Sequence, residues 1–430
     1  AMAHLVFVSP VLPSHMKASL ALGVLLKNRG HRITLVGPPD AGAVTHAHGI
    51  DFYEIGASVQ PLGDLTKQLS TLARARGLRG IGRHIRKMAE TTQMFLDDLP
   101  AALADFQPDG MIVDQMEPAG GLVALANGIP FVSLANALPV ERDPIVPPVF
   151  ANWPPDTTDF ALKRNETSYR VADFMMRRQW KPLQDFAQKS GLTLETIEDT
   201  LSPTATLVTL PKGFDFPRRQ HLDKMHHVGP IRLPEAEGDV SAELAAVCDT
   251  DRPLVYASFG TMFGGRVGMF RKLAKVCDRL GYQLVVSHCR QLSAQQEQRI
   301  GYGAFVTGHL PQRWMLERSD ICVTHGGLNT VVDCLELKVP MVAAPMSFDH
   351  PALGARITWT QTGICLPPSK WTTARLSNAL QTVLRDKSYV ENGAEMRRAL
   401  AENPSSRGAP DLVEQALGLS NKGTVAREAK

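Results

Sequence analysis

Short, wholly apolar runs alternate with amphipathic stretches along this chain. His4–Ser9 (HLVFVS) reads as a buried strand. A proline-containing loop, Pro10–His15, follows it. Lys17–Arg29 then carries apolar residues at helical spacing, and Gly30 supplies a C-cap. His31–Val36 (HRITLV) is the next strand. Strand, helix and strand at this spacing form a βαβ unit and imply a parallel sheet. The theme returns at Gly110–Val113, Gly120–Asn127 and Pro130–Leu134, and again at Ala205–Leu210. Leu233–Glu243 (LPEAEGDVSAE) has no apolar period and reads as a linker. A second series follows it, with strands expected at Leu254–Ser258, Gln283–Ser287, Ala304–Thr307, Ile321–Thr324 and Met341–Ala344. Helices are expected at Val267–Leu280, Leu328–Leu337 and Thr373–Leu384.

The pattern therefore predicts an α/β chain of two open parallel sheets in tandem. The first domain spans 1–232, the linker 233–243, the second domain 244–400, and a tail 401–430 is expected to pack back on the first domain. Ligands of such sheets sit beyond the carboxyl ends of the strands, so two facing sheets place a cleft between the domains.

Composition narrows the class without changing this picture. A length of 430 residues suits two domains. With 46 basic and 43 acidic side chains the net charge is only +3, too small for a dedicated nucleic-acid binder. No run reaches the roughly 18 apolar residues of a membrane-spanning helix. The opening AMAHLVFVSP has no basic segment before a long apolar run, so a cytoplasmic location is expected. The six cysteines, all between Cys248 and Cys365, form no C-x-x-C pair and are expected to be reduced.

The densest chemistry lies in Gly308–Ile357. Strand Ile321–Thr324 ends in His325-Gly326-Gly327, and a helix starts at once with Asn329 and Thr330 in its first turn. Glycines let a ligand approach the backbone, and the helix start offers unpaired N–H groups and partial positive charge, an anion site. Asp333, two turns along, can accept hydrogen bonds from a ribose. Asp349 and His350, after strand Met341–Ala344, offer an acceptor and a donor for sugar hydroxyls. In the first half, His15 follows the first strand and Asp114 ends another, so both should emerge at one sheet edge. A histidine oriented by a carboxylate can take a proton from a hydroxyl. On spacing alone, an unrelated loop histidine and strand-end aspartate stay open as the alternative.

Taken together, Gly308–Ile357 resembles the nucleotide-sugar signature of the UDP-glycosyltransferase superfamily. The resemblance covers nearly the whole chain and implies the GT-B fold, two facing Rossmann-like domains with the donor in the second and the acceptor in the first. It implies that His309, Leu310 and Gln312 meet the uracil. His325, Gly326, Gly327, Asn329 and Thr330 would hold the diphosphate, with Ser258 and Thr261 from the other side. Asp333 would take the ribose, and Asp349 and His350 the sugar. His15 and Asp114 become the catalytic dyad.

Three positions depart from the family pattern: His309 stands for a stacking tryptophan, Asp333 for a glutamate, and His350 for a glutamine. The last leaves galactose beside glucose as the sugar. Pro108–Pro144, Ala257–Cys277 and Met175–Gln179 resemble the zeaxanthin glucosyltransferase subfamily. The implied reaction is inverting transfer of a hexose from a UDP-sugar to a hydroxyl of a lipophilic acceptor, a hydroxylated carotenoid such as zeaxanthin. Flavonoid, sterol or polyketide acceptors, a nucleotide-sugar epimerase and a non-catalytic lipophilic carrier are the alternatives. No cofactor or metal is expected. Asp249-Thr250-Asp251 is read as linker, and no G-x-G-x-x-G follows the first strand to suggest a dehydrogenase.

Leu65–Ala89 carries Lys67, Arg74, Arg76, Arg79, Arg83, Arg86 and Lys87 with no acid between them, interleaved with apolar residues. It reads either as a solvated helical face or as a peripheral contact with an anionic membrane.

Overall fold

The computed structural model describes residues 2–74, 77–234 and 240–419. Its first sheet contains β1 (His4–Val8), β2 (Arg32–Gly37), β3 (Asp51–Glu54), β4 (Gly110–Asp114), β5 (Phe131–Ala135), β6 (Thr206–Val208) and β7 (Met225–His227). Its second contains β8 (Leu254–Ser258), β9 (Gln283–Ser287), β10 (Phe305–Thr307), β11 (Ile321–Thr324), β12 (Met341–Ala343) and β13 (Gly363–Cys365). Strand order is β3-β2-β1-β4-β5-β6-β7 in one sheet and β10-β9-β8-β11-β12-β13 in the other. Every pairing is parallel, with Val6 opposite Thr34 and Met111, for example. Helices cover both faces, which is why the central strands are continuous apolar runs rather than alternating ones.

The order of strands reverses between β1 and β4 and again between β8 and β11. These switch points are where open α/β sheets form ligand crevices. His15 follows β1 and Asp114 ends β4; Ser258 ends β8 and His325 follows β11.

The helix after β1 begins at Pro13, earlier than the apolar pattern suggests, and runs to Lys27. Proline at the first helical position loses no hydrogen bond there and presets the backbone angle. His15 therefore lies in the first turn of a helix rather than in a loop.

The expected linker falls partly on 235–239, outside the described residues, and a helix Ala242–Cys248 already occupies its end. Past residue 400 the chain forms helix Ser405–Ala416, whose Val413, with Leu417 just beyond, is buried among Leu5, Phe7 and Leu20 of the first domain. Arg29 Nη1 lies 2.7 Å from Asp411 and 2.9 Å from Glu414 on the same tail.

A buried ion pair also crosses between the sheets. Asp215, in the loop between β6 and β7, accepts from Nε and Nη2 of Arg356 at 3.0 and 2.8 Å. Arg356 belongs to helix His350–Trp359 and is 2% exposed, stacked 4.1 Å over Phe216. Arg218 and His227 complete the ring around Asp215. Burial would raise this carboxyl's pKa, but Arg218 and Arg356 outweigh it and hold it far below the usual carboxylate range.

Candidate functional site

At the first switch point His15 Nδ1 sits 2.7 Å from Asp114 Oδ2. Asp114 is 1% exposed and His15 8%. Asp114 Oδ1 also accepts from the Met116 amide at 2.9 Å, and Oδ2 from Asn136 Nδ2 at 3.0 Å. An ionised carboxylate only accepts, so Nδ1 is the protonated nitrogen and Nε2 keeps its lone pair. Burial would lower the pKa of His15, but Asp114 and, more weakly, Asp349 from the second domain outweigh it, and the net shift is upward.

At the second switch point the chain makes a tight turn. Gly326 has φ +84°, the left-handed region that glycine adopts at no cost. A Cβ at Gly327 would lie 2.3 Å from His325 Nε2, so the imidazole folds against that backbone only because glycine is there. Helix Leu328–Leu337 starts without any side-chain cap, which leaves its first N–H groups for a ligand. His325 and His350 pack edge to face with ring centroids 4.8 Å apart. Burial, then the neighbouring His350, bring the pKa of His325 down to about 3, and burial brings His350 down to about 4. Both rings are therefore neutral at neutral pH and bring no charge to this turn. His325 Nδ1 is buried with no hydrogen-bond partner among the described residues.

A cavity of about 770 Å³ joins the two domains here. Of the positions singled out in the sequence, Ser258, Thr261, His309, Leu310, Gln312, Asn329, Thr330 and Asp333 line it. His325, Gly326 and Gly327 form the turn after β11, and His350, the first residue of helix His350–Trp359, packs on His325. Asp349 lies toward His15, whose imidazole feels its charge.

Asp333 is more heavily engaged than its sequence context suggests. Its Oδ1 accepts from Arg232 Nη1 and from Arg313 Nη1, the latter at 2.8 Å, and its Oδ2 from Gln312 Nε2 at 2.8 Å. Three of the roughly four lone-pair positions of the carboxylate are thus used. Glu336, one turn on, shares both arginines at 2.7 and 2.6 Å.

Sequence reading missed Arg232, Arg313 and Asn136, because nothing periodic marks a lone polar residue that meets its partner only in the fold. It also missed Ser14, Lys17 and Ala18, which line the same cavity from the first domain. Their i, i+3, i+4 spacing places them on one helical face, a signal visible only once the helix is started at Pro13.

Beside the dyad lies a smaller slot of about 100 Å³, with an apolar side made by Val11, Leu12, Leu65, Leu72, Met88, Phe95 and Met116 and a polar side that includes Asp40, Gln60, Gln68, His84, Lys87 and Thr91. Glu117 closes one end, accepting from Thr92 Oγ1 at 3.1 Å, with Gln179 Nε2 donating to the same hydroxyl at 3.1 Å. Burial pushes the Glu117 carboxyl up to about 8. Folded, it keeps its proton up to that pH; unfolded, it releases it near 4.5. The stability it contributes is therefore complete below the unfolded value and is lost as pH rises toward the folded one. Glu117→Gln, which cannot ionise, is expected to gain melting temperature relative to the parent between pH 5 and pH 8. Thermal unfolding at the two pH values checks this; a constant difference would show that burial does not protonate Glu117.

Among the described residues no group of three or more His, Cys, Asp or Glu is placed to hold a metal ion. None of the helices described is long and apolar enough to cross a membrane.

A family model for "UDP-glucoronosyl and UDP-glucosyl transferase" matches residues 85–405. A zeaxanthin glucosyltransferase of Pantoea ananas is 32% identical over 420 residues, 97% of this chain and 96% of its own. Another, from Pseudescherichia vulneris, is 33% identical over 427 residues, 97% of this chain and 99% of its own. Among solved structures, the glycotransferase of kitacinnamycin superposes with a TM-score of 0.75 at 21% identity, covering 97% of this chain and 100% of that one. A calicheamicin glycosyltransferase gives 0.72 at 22% identity, covering 97% and 99%. These two speak to the fold, two Rossmann-like domains in the GT-B arrangement. The chain belongs to the UDP-glucoronosyl and UDP-glucosyl transferase family and is a glycosyltransferase of the UDP-glucosyl type.

Proposed function

We propose that the protein transfers a hexose, glucose first, from a UDP-sugar to a hydroxyl of a lipophilic acceptor, with inversion at the anomeric carbon. The acceptor is a hydroxylated carotenoid such as zeaxanthin. The observation that carries the reading is the His15–Asp114 pair at one switch point, set across a cleft from an uncapped helix start at the other. His15 Nε2 takes the acceptor proton as the oxygen attacks the anomeric carbon. The bond from that carbon to the diphosphate breaks, and its electron pair leaves with UDP. Asp114 holds Nδ1–H and stabilises the imidazolium. Because the acceptor oxygen displaces UDP directly, no covalent sugar–enzyme intermediate forms.

The donor lies in the cavity of the second domain. The N–H groups of Leu328–Leu337, with Ser258, Thr261, Asn329 and Thr330, meet the diphosphate where charge develops, and neutral His325 adds a donor. His309, Leu310 and Gln312 hold the uracil. A ribose hydroxyl completes the set around Asp333, and Asp349 and His350 take the sugar. No metal or further cofactor enters. In this reading 1–232 binds the acceptor, 233–243 links, 244–400 binds the donor and 401–430 is the tail.

The carotenoid rests on the two relatives named zeaxanthin glucosyltransferase and on the apolar side of the slot next to the dyad. The enzyme works in the cytoplasm, peripheral to the inner face of the membrane. Incubation with UDP-glucose, UDP-galactose and other UDP-sugars against zeaxanthin, sterols and flavonoids, with products read by mass and anomeric configuration by NMR, tests the reading. A β-glucoside of zeaxanthin is expected from an α-linked UDP-glucose. UDP-sugar interconversion without acceptor product would refute it in favour of an epimerase.

A further inference from the structure

The basic segment Leu65–Ala89 turns much of its apolar side inward. Leu65, Leu72 and Met88 line the slot, and Ile85 is buried. Lys87 is paired with Asp64 at 3.0 Å. The side chains of residues 73–79 lie outside the described set. A membrane contact needs apolar groups that point outward among the cations, and helix Asp159–Lys189 carries them.

Phe160, Val171 and Phe174 on that helix are 76%, 52% and 66% exposed, unusual values for side chains of this size. At about 100° per residue, they and Lys163, Arg170, Arg177, Arg178 and Lys181 fall within roughly 140° of arc. The opposite side of the helix is the buried one: Ala161, Asn165, Gln179, Leu183 and Ala187. Gln179 there reaches the wall of the slot. Arg177 stacks 4.1 Å over Phe174, so a cation and an aromatic ring stand together at the surface. Exposed Asp159 and half-buried Asp185 also fall within this arc; Asp185 pairs with Lys181, and Glu166, just outside it, pairs with Arg170 at 2.6 Å. Among the described residues no ion pair holds Lys163 or Arg178.

We infer that the outward face of helix Asp159–Lys189 docks on an anionic phospholipid bilayer, its exposed phenylalanines entering the interface and its cations meeting the headgroups. The charge of the stripe and its projecting aromatic rings complement that surface, as in helices that lie in the plane of a membrane. The inference extends the membrane contact proposed above and assigns it a different face. It depends on the proposed lipophilic acceptor for motive only, since the docking can be measured without turnover.

Co-sedimentation of the full chain with phosphatidylglycerol/phosphatidylcholine vesicles, and with phosphatidylcholine vesicles alone, tests it. The parent is expected to pellet with the anionic vesicles and less at high salt. The double variants Phe160→Ser/Phe174→Ser and Lys163→Glu/Arg178→Glu should each weaken that partition at least about tenfold, with UDP affinity and melting temperature unchanged. No preference of the parent for anionic vesicles would overturn the inference, and so would undiminished binding by both variants. A dimer of the parent in solution that Phe160→Ser/Phe174→Ser converts to monomer would assign the face to a second copy instead. Transfer to a water-soluble alcohol, followed in parallel, separates the questions: vesicle binding without transfer counts against the proposed reaction and leaves the docking face standing.

Discussion

His15→Ala is expected to lower kcat by about 10²–10⁴-fold, the usual contribution of a general base, and to leave the Kd for UDP unchanged. The split follows from geometry. His15 lies in the first domain against Asp114, while the residues proposed to grip UDP line the opposite wall. Turnover of a UDP-sugar by stopped or continuous assay and UDP binding by calorimetry read the two halves separately. Near-parental kcat would remove His15 from the chemistry; a matching loss of UDP affinity would mean the helix start had collapsed instead.

The pH profile gives the same residue a second signature. A base must be neutral to work, so kcat/KM should climb with pH through the His15 pKa. Asp114 and Asp349 hold that pKa above 6.5 against the effect of burial. The rising limb of the parent should therefore centre above 6.5. In Asp114→Asn the main opposing charge is gone and burial is left, so the limb should move to lower pH while the maximum falls.

The largest effect on stability is expected from Asp215→Asn. The substitution keeps the shape of the side chain but leaves the buried Arg356 guanidinium without its counter-charge, which typically costs about 3–5 kcal/mol. Arg356 and Asp215 are 2% and 7% exposed, so water offers little screening. The urea midpoint should fall accordingly. Because the folded carboxyl is held far below its unfolded value, the contribution is present above the unfolded pKa and is lost as pH drops beneath it. The gap between parent and variant should thus persist at neutral pH and narrow only in acid, below about pH 4. An unaltered midpoint at pH 7 would show that the pair does not hold the two sheets together.

What could be read in the chain beforehand was whatever repeats locally. Leu254–Ser258, Gln283–Ser287, Val267–Leu280 and Leu328–Leu337 occupy the structure over the limits their patterns predict. Each is a buried strand or a strongly amphipathic helix bounded by glycine or polar residues. β3 reads DFYE and lies at a sheet edge, half exposed, so no apolar period announces it. β7 reads MHH and β13 GIC, so neither offers the apolar run that announces the equally short β10 and β12.

The candidate site divides in the same way. The turn His325–Asp333 is one continuous stretch whose chemistry is visible in order. Arg232 stands 101 residues before the carboxylate it grips, and Arg356 stands 141 after Asp215. Such pairings follow from how the sheets face each other, and no local rule encodes them. The start of the helix bearing His15 was legible in principle from Pro13, but two nearby prolines and a serine gave the segment the look of a loop.

The tail helix Ser405–Ala416 fills part of the core of the first sheet, with Val413 and Leu417 against Leu5 and Phe7. Residues at opposite ends of the chain are thus needed for one hydrophobic core. During synthesis the leading half emerges long before its last packing partners exist, whereas the donor half can assemble as soon as it clears the ribosome. The amino-terminal lobe therefore closes its core only once the tail helix, which lies beyond the whole donor half in the chain, has been made.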